Sequence, residues 1–485
     1  MNPAALPSLT RISLPPSVRE VLQALRSQGF EAFAVGGCVR DSLLGRTPHD
    51  WDITTSALPQ DVKRIFRHTA DTGIAHGTVS VLTGGTVLEV TTYRIDGKYS
   101  DGRHPDQVAF TASLEEDLRR RDFTINAMAC SDEDGVIDLF GGIQDLEHGV
   151  IRAVGDPWAR FSEDALRILR AVRFSAQLDF SVEPETRRAV RALAGQLSRI
   201  SAERICAELM KLAGSSHPDY LRTAWETGIT AVILPEFDRC MQTAQRNPHH
   251  CFSVGGHILA AMRAVLLPEP DFWLRADAAR LHRLAALPQG RYDCRTLLTL
   301  VLLLHDIAKP ACRTTDADGI DHFCGHAALG ADMARDIMRR LKLDNDTIGK
   351  VSLLILYHDW RVEPAHRHVR RAVSKVGRDL FPLLLEVQLA DTMAQSPRWR
   401  KEKMQRILQV FYIYEDILAR EQCVQLSDLA INGKDLLELG VPKGPSIGRM
   451  LRLALEDVLE DPARNSREYL LARIRTHLAD PEGSR

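Results

Sequence analysis

Two aspartates one residue apart, Asp50 and Asp52 in "HDWDITTS", are the first residues whose type and spacing point to chemistry. Side chains two apart on a β-strand share a face. The segment therefore predicts a strand with both carboxylates on one side and Trp51 turned into the core. Carboxylates held this close repel each other, and a divalent cation is the simplest compensation. A strand-borne pair of this kind suits two-metal phosphoryl or nucleotidyl transfer. Upstream, Gly36-Gly37 can bring backbone N–H groups close to a phosphate, and Arg40 adds positive charge on the following helix turn. Glu89, in "VLEVTTYR", is a candidate third carboxylate on a neighbouring strand. Taken alone, "DWD" also fits a solvated strand edge; the glycine pair and Arg40 weigh against it.

A sheet is needed to carry such a pair, and the first 150 or so residues supply the pattern for one. "FAVGG", "WDITT" and "GVIDLF" are strand-like runs broken by glycines. "TVSVLTGGTVLEV" predicts a hairpin turning at Gly84-Gly85. From about residue 160 the texture changes to long amphipathic helices such as "EDALRILRAVRFSAQL". Pro/Gly punctuation at "GSSHPDY", "NPHH" and "GVPKGPS" predicts boundaries inside the helical part. The fold class expected is α+β, a small head followed by a helical remainder. The chain has 485 residues, 45% of them hydrophobic, enough for about three domains. Lys and Arg number 62 against 64 Asp and Glu, so net charge does not announce a nucleic-acid partner. "LLTLVLLL" is too short to span a bilayer, and the first twenty residues lack a basic-then-apolar leader. Nine cysteines with no C-x-x-C pair argue against a disulfide framework. These features predict a reduced, cytoplasmic enzyme with no membrane partner.

"VGGCVRDSLLGRTPHDWDITTSA" resembles the signature of the tRNA nucleotidyltransferase and poly(A) polymerase family in its bacterial, class II form. Further stretches resemble the later motifs of that family, in order: "RRRDFTINAMA", "DLFGGIQDLEHGVIRAVGDPWARFSEDALRILRAVRF", "ISAERICAELMKL" and the tail "INGKDLLELGVPKGPSIGRMLRLALEDVLEDP". The resemblance implies a polymerase-β-like nucleotidyltransferase head (1–150), a helical neck (151–215), a body (216–420) and a tRNA-binding tail (421–485). It implies addition of CMP, CMP and AMP to the 3′ end of tRNA from CTP and ATP, with Mg²⁺ held by Asp50 and Asp52. An A-only enzyme or a poly(A) polymerase is the alternative. "TGIAHGTVSV" is more similar to the CCA branch, and the polar segment 94–108, expected to be mobile, corresponds to a loop tied in the family to the switch from C to A addition.

An untemplated enzyme must read the incoming base with side chains, and "SEDALRILRAVRF" offers a way. Ser162 is expected to cap a helix with Glu163 and Asp164 in its first turn. Asp164, Arg167, Arg170 and Arg173 recur every three residues along it. A carboxylate accepts from an exocyclic amino group, and a guanidinium donates to ring acceptors. One Asp–Arg pair can thus accept C and A and refuse U and G, with Glu163 orienting Arg167. On pattern alone a surface ion pair fits equally well; the resemblance assigns base reading to Asp164 and Arg167. In "RRRDFTINAMA", Arg121 is expected at the phosphates or base, with Asp122 and Asn126 at the ribose. Gly37, Arg40, Arg170 and Arg173 complete the expected nucleotide-binding set, and Asp50, Asp52 and Glu89 the catalytic one.

A second chemistry sits in the helical part. His305-Asp306 ends an apolar helix, and His257, His326, His358 and Asp391 are further candidate ligands for one divalent metal of unknown identity. The run resembles the HD superfamily of metal-dependent phosphohydrolases. It implies hydrolysis of phosphoesters, 2′,3′-cyclic phosphates or 3′-phosphates on RNA among them, and an enzyme working mainly through this body is a further alternative. Histidines that only cap and pack helices are the structural alternative.

Overall fold

Ala32–Val35 (β1) is four apolar residues in a row, the composition of a strand covered on both faces, and all four are buried. The computed structural model describes residues 12–96, 108–265, 281 and 290–479. Around β1 stand β2 (Asp52–Thr55), β3 (Thr69–Gly73), β4 (Thr78–Thr83) and β5 (Thr86–Thr92). After a separate antiparallel pair, β6 (Arg94–Asp96) and β7 (Val108–Phe110), come β8 (Met128–Ser131) and β9 (Gly135–Asp138). The seven-stranded sheet runs β3-β4-β5-β2-β1-β8-β9. Its pairings are antiparallel except β2 with β5, which run parallel with Asp52 opposite Glu89. The β4–β5 hairpin turns at Gly84-Gly85, as its pattern predicts. The centre of the polar segment expected to be mobile, residues 97–107, lies outside the described residues.

Helices cover the sheet. α1 (Pro16–Ser27) buries Val18, Val21, Leu22 and Leu25, an i, i+3, i+4, i+7 stripe laid on β1 and β2. α2 (Gly37–Leu43) and α3 (Pro59–Ile65) follow β1 and β2. α4 (Leu114–Arg119) contributes Leu118 to a cluster with Phe33, Val35, Tyr93, Ala127 and Ala129. Enclosing that one leucine is worth about 1.5–3 kcal/mol. Then come α5 (Gly142–His148), α6 (Pro157–Glu163), α7 (Leu166–Leu178), α8 (Pro184–Leu193), α9 (Ala202–Ala213), α10 (Leu221–Glu226) and α11 (Ile229–Ile233).

Contacts divide the chain into two compact units, Met1–Pro235 and Glu236–Arg485, a coarser division than the four segments expected. From the boundary onward run α12 (Pro235–Gln242), α13 (Val254–Ala264), α14 (Cys294–Leu304), α15 (Lys309–Cys312), α16 (His326–Arg340) and α17 (Asn345–Tyr357). α18 (His366–Val376), α19 (Phe381–Met393), α20 (Pro397–Ala419), α21 (Gly433–Glu438), α22 (Pro445–Glu460) and α23 (Arg467–Ala479) complete the second unit. Its one departure from an all-helical body, among the described residues, is the ribbon pairing Thr314–Thr315 with Asp321–His322. α14 is buried nearly all round, as a helix of almost unbroken leucine must be. Gly255 near the start of α13 answers to a close approach: a Cβ there would lie 2.6 Å from the backbone nitrogen of Met241 on α12. None of the nine cysteines is in a disulfide, and no described helix is long and apolar enough to cross a membrane.

Candidate functional site

Alternation along β2 sets the direction of its side chains. Ile53 is fully buried, and Asp52 and Thr54 share the opposite face. The parallel register places Glu89 beside Asp52, on strands about 5 Å apart. The expectation for "DWD" needs correction: the strand begins at Asp52, Asp50 precedes it, and Trp51 is only half-buried. β1 stops at Val35, where Gly36 (φ +85°) turns the chain into α2, so nothing on that side extends the ladder to Asp50. Desolvation pushes the Asp52 carboxyl above the usual range; Arg121 pulls it back, while Glu89 and Asp50 add to the rise. An all-oxygen set of crowded carboxylates fits a hard cation such as Mg²⁺.

The glycine turn and Arg121 are built against each other. A Cβ on Gly36 would sit 3.0 Å from Nη1 of Arg121, and the positive φ already disfavours any side chain there. Arg121 is held from below by Asp117, fully buried on α4, at 3.4 Å. Asp117 also accepts from the Thr54 hydroxyl at 2.9 Å and from Arg120 at 2.7 Å. One buried carboxylate thus ties β2 to Arg121. Arg40 donates to Asp41 and, at 2.6 Å, to Asn126; the Asn126 amide donates to Asp122 at 3.2 Å. Asp122 takes Arg170 on its other oxygen at 2.7 Å. Burial alone would raise Asp122, but Arg170 and Asn126 hold it down at about 2.

Asp164 departs from the sequence expectation. Ser162 caps nothing: Ser162 and Glu163 close α6, and Asp164 stands in an extended break (φ −137°, ψ 102°) before α7. Its Oδ1 accepts the N–H of Leu166 at 3.0 Å and its Oδ2 pairs with Arg204 of α9 at 2.8 Å. These two bonds hold the carboxylate outside the helix, the competition short acidic side chains offer to helical bonding. Arg167 is buried and donates to Glu163 (2.7 Å) and to the carbonyls of Arg160 (3.2 Å) and Arg120 (3.0 Å). It is no exposed ion pair.

These residues meet around a cleft of about 400 Å³ in the first unit. Gly36, Gly37, Arg40, Asp52, Arg121, Asp122, Asn126, Asp164, Arg167 and Arg170 line it, with Phe174 and Arg204. Asp50 and Glu89 adjoin Asp52. Arg173 does not reach the lining: it is buried against Glu208 and Gln177, so its expected contact with a nucleotide is corrected. Sequence reasoning missed Asp117, Arg204 and Glu208. The readable signal was a Glu and an Arg four apart inside the apolar run "ERICAELMKL", where a buried charge needs a partner.

The second cluster also assembles, within the second unit. His257 comes from α13, His305 and Asp306 follow α14, His326 opens α16, His358 follows α17 and Asp391 lies on α19. His257 Nε2 lies 2.9 Å from Asp391 and 3.4 Å from His305 Nε2; His326 and His358 approach to 3.2 Å through their Nε2 atoms. Burial alone would raise Asp306, but His305 and Lys309 hold it well below the carboxylate range. Lys309 Nζ lies 2.7 Å from Asp306 and 3.0 Å from Gln245. Neither Lys309 nor His250, whose ring packs edge-on to His257 at 5.0 Å, was picked out from the sequence. The cluster opens on a cavity of about 310 Å³.

Residues 32–152 match the family model "Poly A polymerase head domain", 179–241 "Probable RNA and SrmB-binding site of polymerase A", and 314–474 tRNA nucleotidyltransferase domain 2. The CCA-adding enzyme of Leuconostoc mesenteroides is 55% identical over 192 residues, 40% of this chain and 48% of that protein. In the first such matches the chain spans about half the length of the curated relatives. With the CCA-adding enzyme of Latilactobacillus sakei it is 36% identical over 455 residues, covering 93% of this chain and 95% of that one. The crystal structure of the Bacillus stearothermophilus CCA-adding enzyme in complex with CTP superposes with a TM-score of 0.67 at 29% identity, over 96% of this chain and all of that one. Motifs, sheet and cleft agree with these likenesses, and the chain belongs to the family of CCA-adding enzymes, the tRNA nucleotidyltransferase and poly(A) polymerase family.

Proposed function

We propose that this chain adds CMP, CMP and AMP to the 3′ end of tRNA, using CTP and ATP and no nucleic-acid template. The observation that carries the reading is one cleft lined by both Asp52 and the Asp164–Arg167 pair. Relatives bearing the name CCA-adding enzyme over nearly the whole chain support it. Asp50, Asp52 and Glu89 would hold Mg²⁺, which when bound activates the terminal hydroxyl and neutralises the departing pyrophosphate. Arg40 and Arg121 bring positive charge to the glycine turn, where a triphosphate would lie. Asp122 and Asn126, bonded to each other, offer acceptors to a ribose. Asp164 accepts from the exocyclic amino group of cytosine or adenine and Arg167 donates to the adjacent ring acceptor, an arrangement that uracil and guanine reverse. The four segments expected from the sequence are assigned as head, neck, body and tRNA-holding tail, and the working place is the cytoplasm.

The test offers purified protein and Mg²⁺ a tRNA lacking its last three nucleotides, with CTP, ATP or both, and sequences the 3′ ends. Addition of CCA only when both are present is expected. Addition of A alone, and only to tRNA ending in CC, would replace this reading with that of an A-adding enzyme.

A second activity, metal-dependent phosphohydrolysis in the second unit, rests on the convergence of His257, His305, Asp306, His326, His358 and Asp391. Phosphoesters such as 2′,3′-cyclic phosphates are the assigned substrates. Release of phosphate or opening of a cyclic phosphate, lost in Asp306→Asn, is the expected result.

A further inference from the structure

We infer that one face of α20, beside the cavity of the second unit, is a binding surface for single-stranded RNA. The inference goes beyond the hydrolytic reading above and does not depend on it. Near its start α20 reads "RWRKEKMQR" (398–406), five basic residues and one acidic residue, on a chain whose 62 basic and 64 acidic residues otherwise balance. Trp399, Lys403 and Arg406 stand at i, i+4 and i+7, so they share one side of the helix. Met404, Ile407 and Leu408 take another side and are buried.

Arg400 and Lys403 bond to a neutral partner rather than to a carboxylate. Arg400 donates to the backbone carbonyl of Gln395 at 3.0 Å, and Lys403 donates to its side-chain oxygen at 2.5 Å. Gln395 also lines the cavity, which fixes where this face lies. Burial, and next the charge of Arg361, pull the Lys403 ammonium below its ordinary value. The second of these is the mark of crowded positive charge. A row of phosphates relieves such crowding.

An aromatic platform stands on the same face. Trp399 is 37% exposed, although an indole is a side chain that folding mostly encloses. His249 lies beside it, with ring centroids 6.4 Å apart and planes tilted by 52°, so neither ring covers the other. The two segments are tied together: the N–H of Ser396, three residues before Trp399, donates to the His249 carbonyl at 2.8 Å. Burial and then Lys403 lower the His249 imidazole below its ordinary value, so it is an uncharged ring at neutral pH. Arg398 adds a guanidinium 4.8 Å from the centre of the Trp399 ring. Exposed rings interleaved with cations suit unpaired bases, which need a π face for the base and a positive charge for the phosphate. A duplex keeps its base faces within its own stack, and RNA is the substrate of the activity proposed above.

The test measures binding of fluorescein-labelled hexauridylate to the full chain by anisotropy, in EDTA so that neither metal nor hydrolysis enters. Trp399→Ala is expected to raise Kd about 5- to 100-fold, and Trp399→Phe, which keeps a ring, less than about fivefold. The double variant Lys403→Met, Arg406→Met is expected to flatten the dependence of Kd on salt. For a blunt RNA duplex, whose bases are already stacked, Trp399→Ala is expected to change Kd less than about twofold. Equal losses for duplex and single strand would reduce the face to general electrostatics and overturn the inference. An unchanged Kd for hexauridylate in Trp399→Ala would overturn it too. Since no hydrolysis is read, failure here leaves the phosphohydrolase reading standing, and failure of that reading leaves this surface standing. Should Trp399→Ala fail to fold, the unaltered chain decides: hexauridylate carrying 5-iodouridine is irradiated on it and the crosslinked peptides are sequenced by mass spectrometry. Crosslinks at Trp399 or His249 are expected, and crosslinks confined to other residues refute the surface.

Discussion

Arg204 holds Asp164, the carboxylate proposed to read the incoming base. Of its two terminal nitrogens, Nη2 pairs with Asp164 at 2.8 Å and Nη1 is buried without an acceptor. A charge-assisted bond of this kind is worth about 1.5–3 kcal/mol, so Arg204→Met is expected to lower kcat/KM for CTP about 10- to 100-fold. Preference for CTP over UTP should narrow as well, and Arg204→Lys should recover part of both. Single-turnover kinetics with each nucleotide checks this; a loss equal for CTP and UTP would mean Arg204 merely supports the fold. Asp122 carries a pH signature. Its carboxyl titrates at about 2 when folded against an ordinary 3.8, so ionised Asp122 stabilises the fold above pH 3.8, and the contribution is lost as pH falls towards 2. The difference amounts to about 2 kcal/mol. Denaturant unfolding of wild type and Asp122→Asn should therefore differ at pH 7, and the gap should narrow between pH 4 and 2. Much of this was legible: residue types and spacing pointed to Asp52, and the family resemblance to Arg121, Asp164 and Arg167, all of which line the cleft. Arg204 was not, because its bond to Asp164 spans 40 residues, a contact between elements that periodicity does not encode; Asp117, four residues before Arg121, stood at a readable helical spacing.

At the scale of elements, the strands that bear the site followed from alternation and glycine turns, whereas the break between α6 and α7 did not. No glycine or proline marks it; the bonds of Asp164 to Leu166 and Arg204 impose it, and one of those partners is 40 residues away. The start of α13 shows the converse. Gly255 looks like a weakness in a helix, yet it is where Met241 of α12 passes, with backbone atoms within 2.7 Å of any added Cβ. Backbone cannot yield as a side-chain end can, so Gly255→Ala is expected to destabilise the second unit by about 1–3 kcal/mol. Chemical denaturation measures it, and an unchanged midpoint would refute the tight contact.

At the scale of the molecule, the two clusters lie in different compact units. Asp52→Asn is expected to abolish nucleotide addition and to leave phosphoester hydrolysis within about twofold of wild type. Asp306→Asn is expected to do the reverse. Loss of both activities in either variant would show one shared site. The proposed binding of tRNA to a chain with 62 basic and 64 acidic residues would have to rely on local positive surface, so affinity is expected to fall steeply with salt; fluorescence anisotropy across 50–200 mM salt reads the slope.

The ion pair of Lys309 with Asp306 bears on the order in which this protein matures in a cell. A buried carboxylate left bare would oppose folding, and breaking such a pair costs about 3–5 kcal/mol. Here the neutralising charge is encoded three residues along the same chain. The second unit can therefore complete folding on a ribosome's schedule, whatever the supply of trace elements, and a metal proposed for its cluster would enter a finished protein.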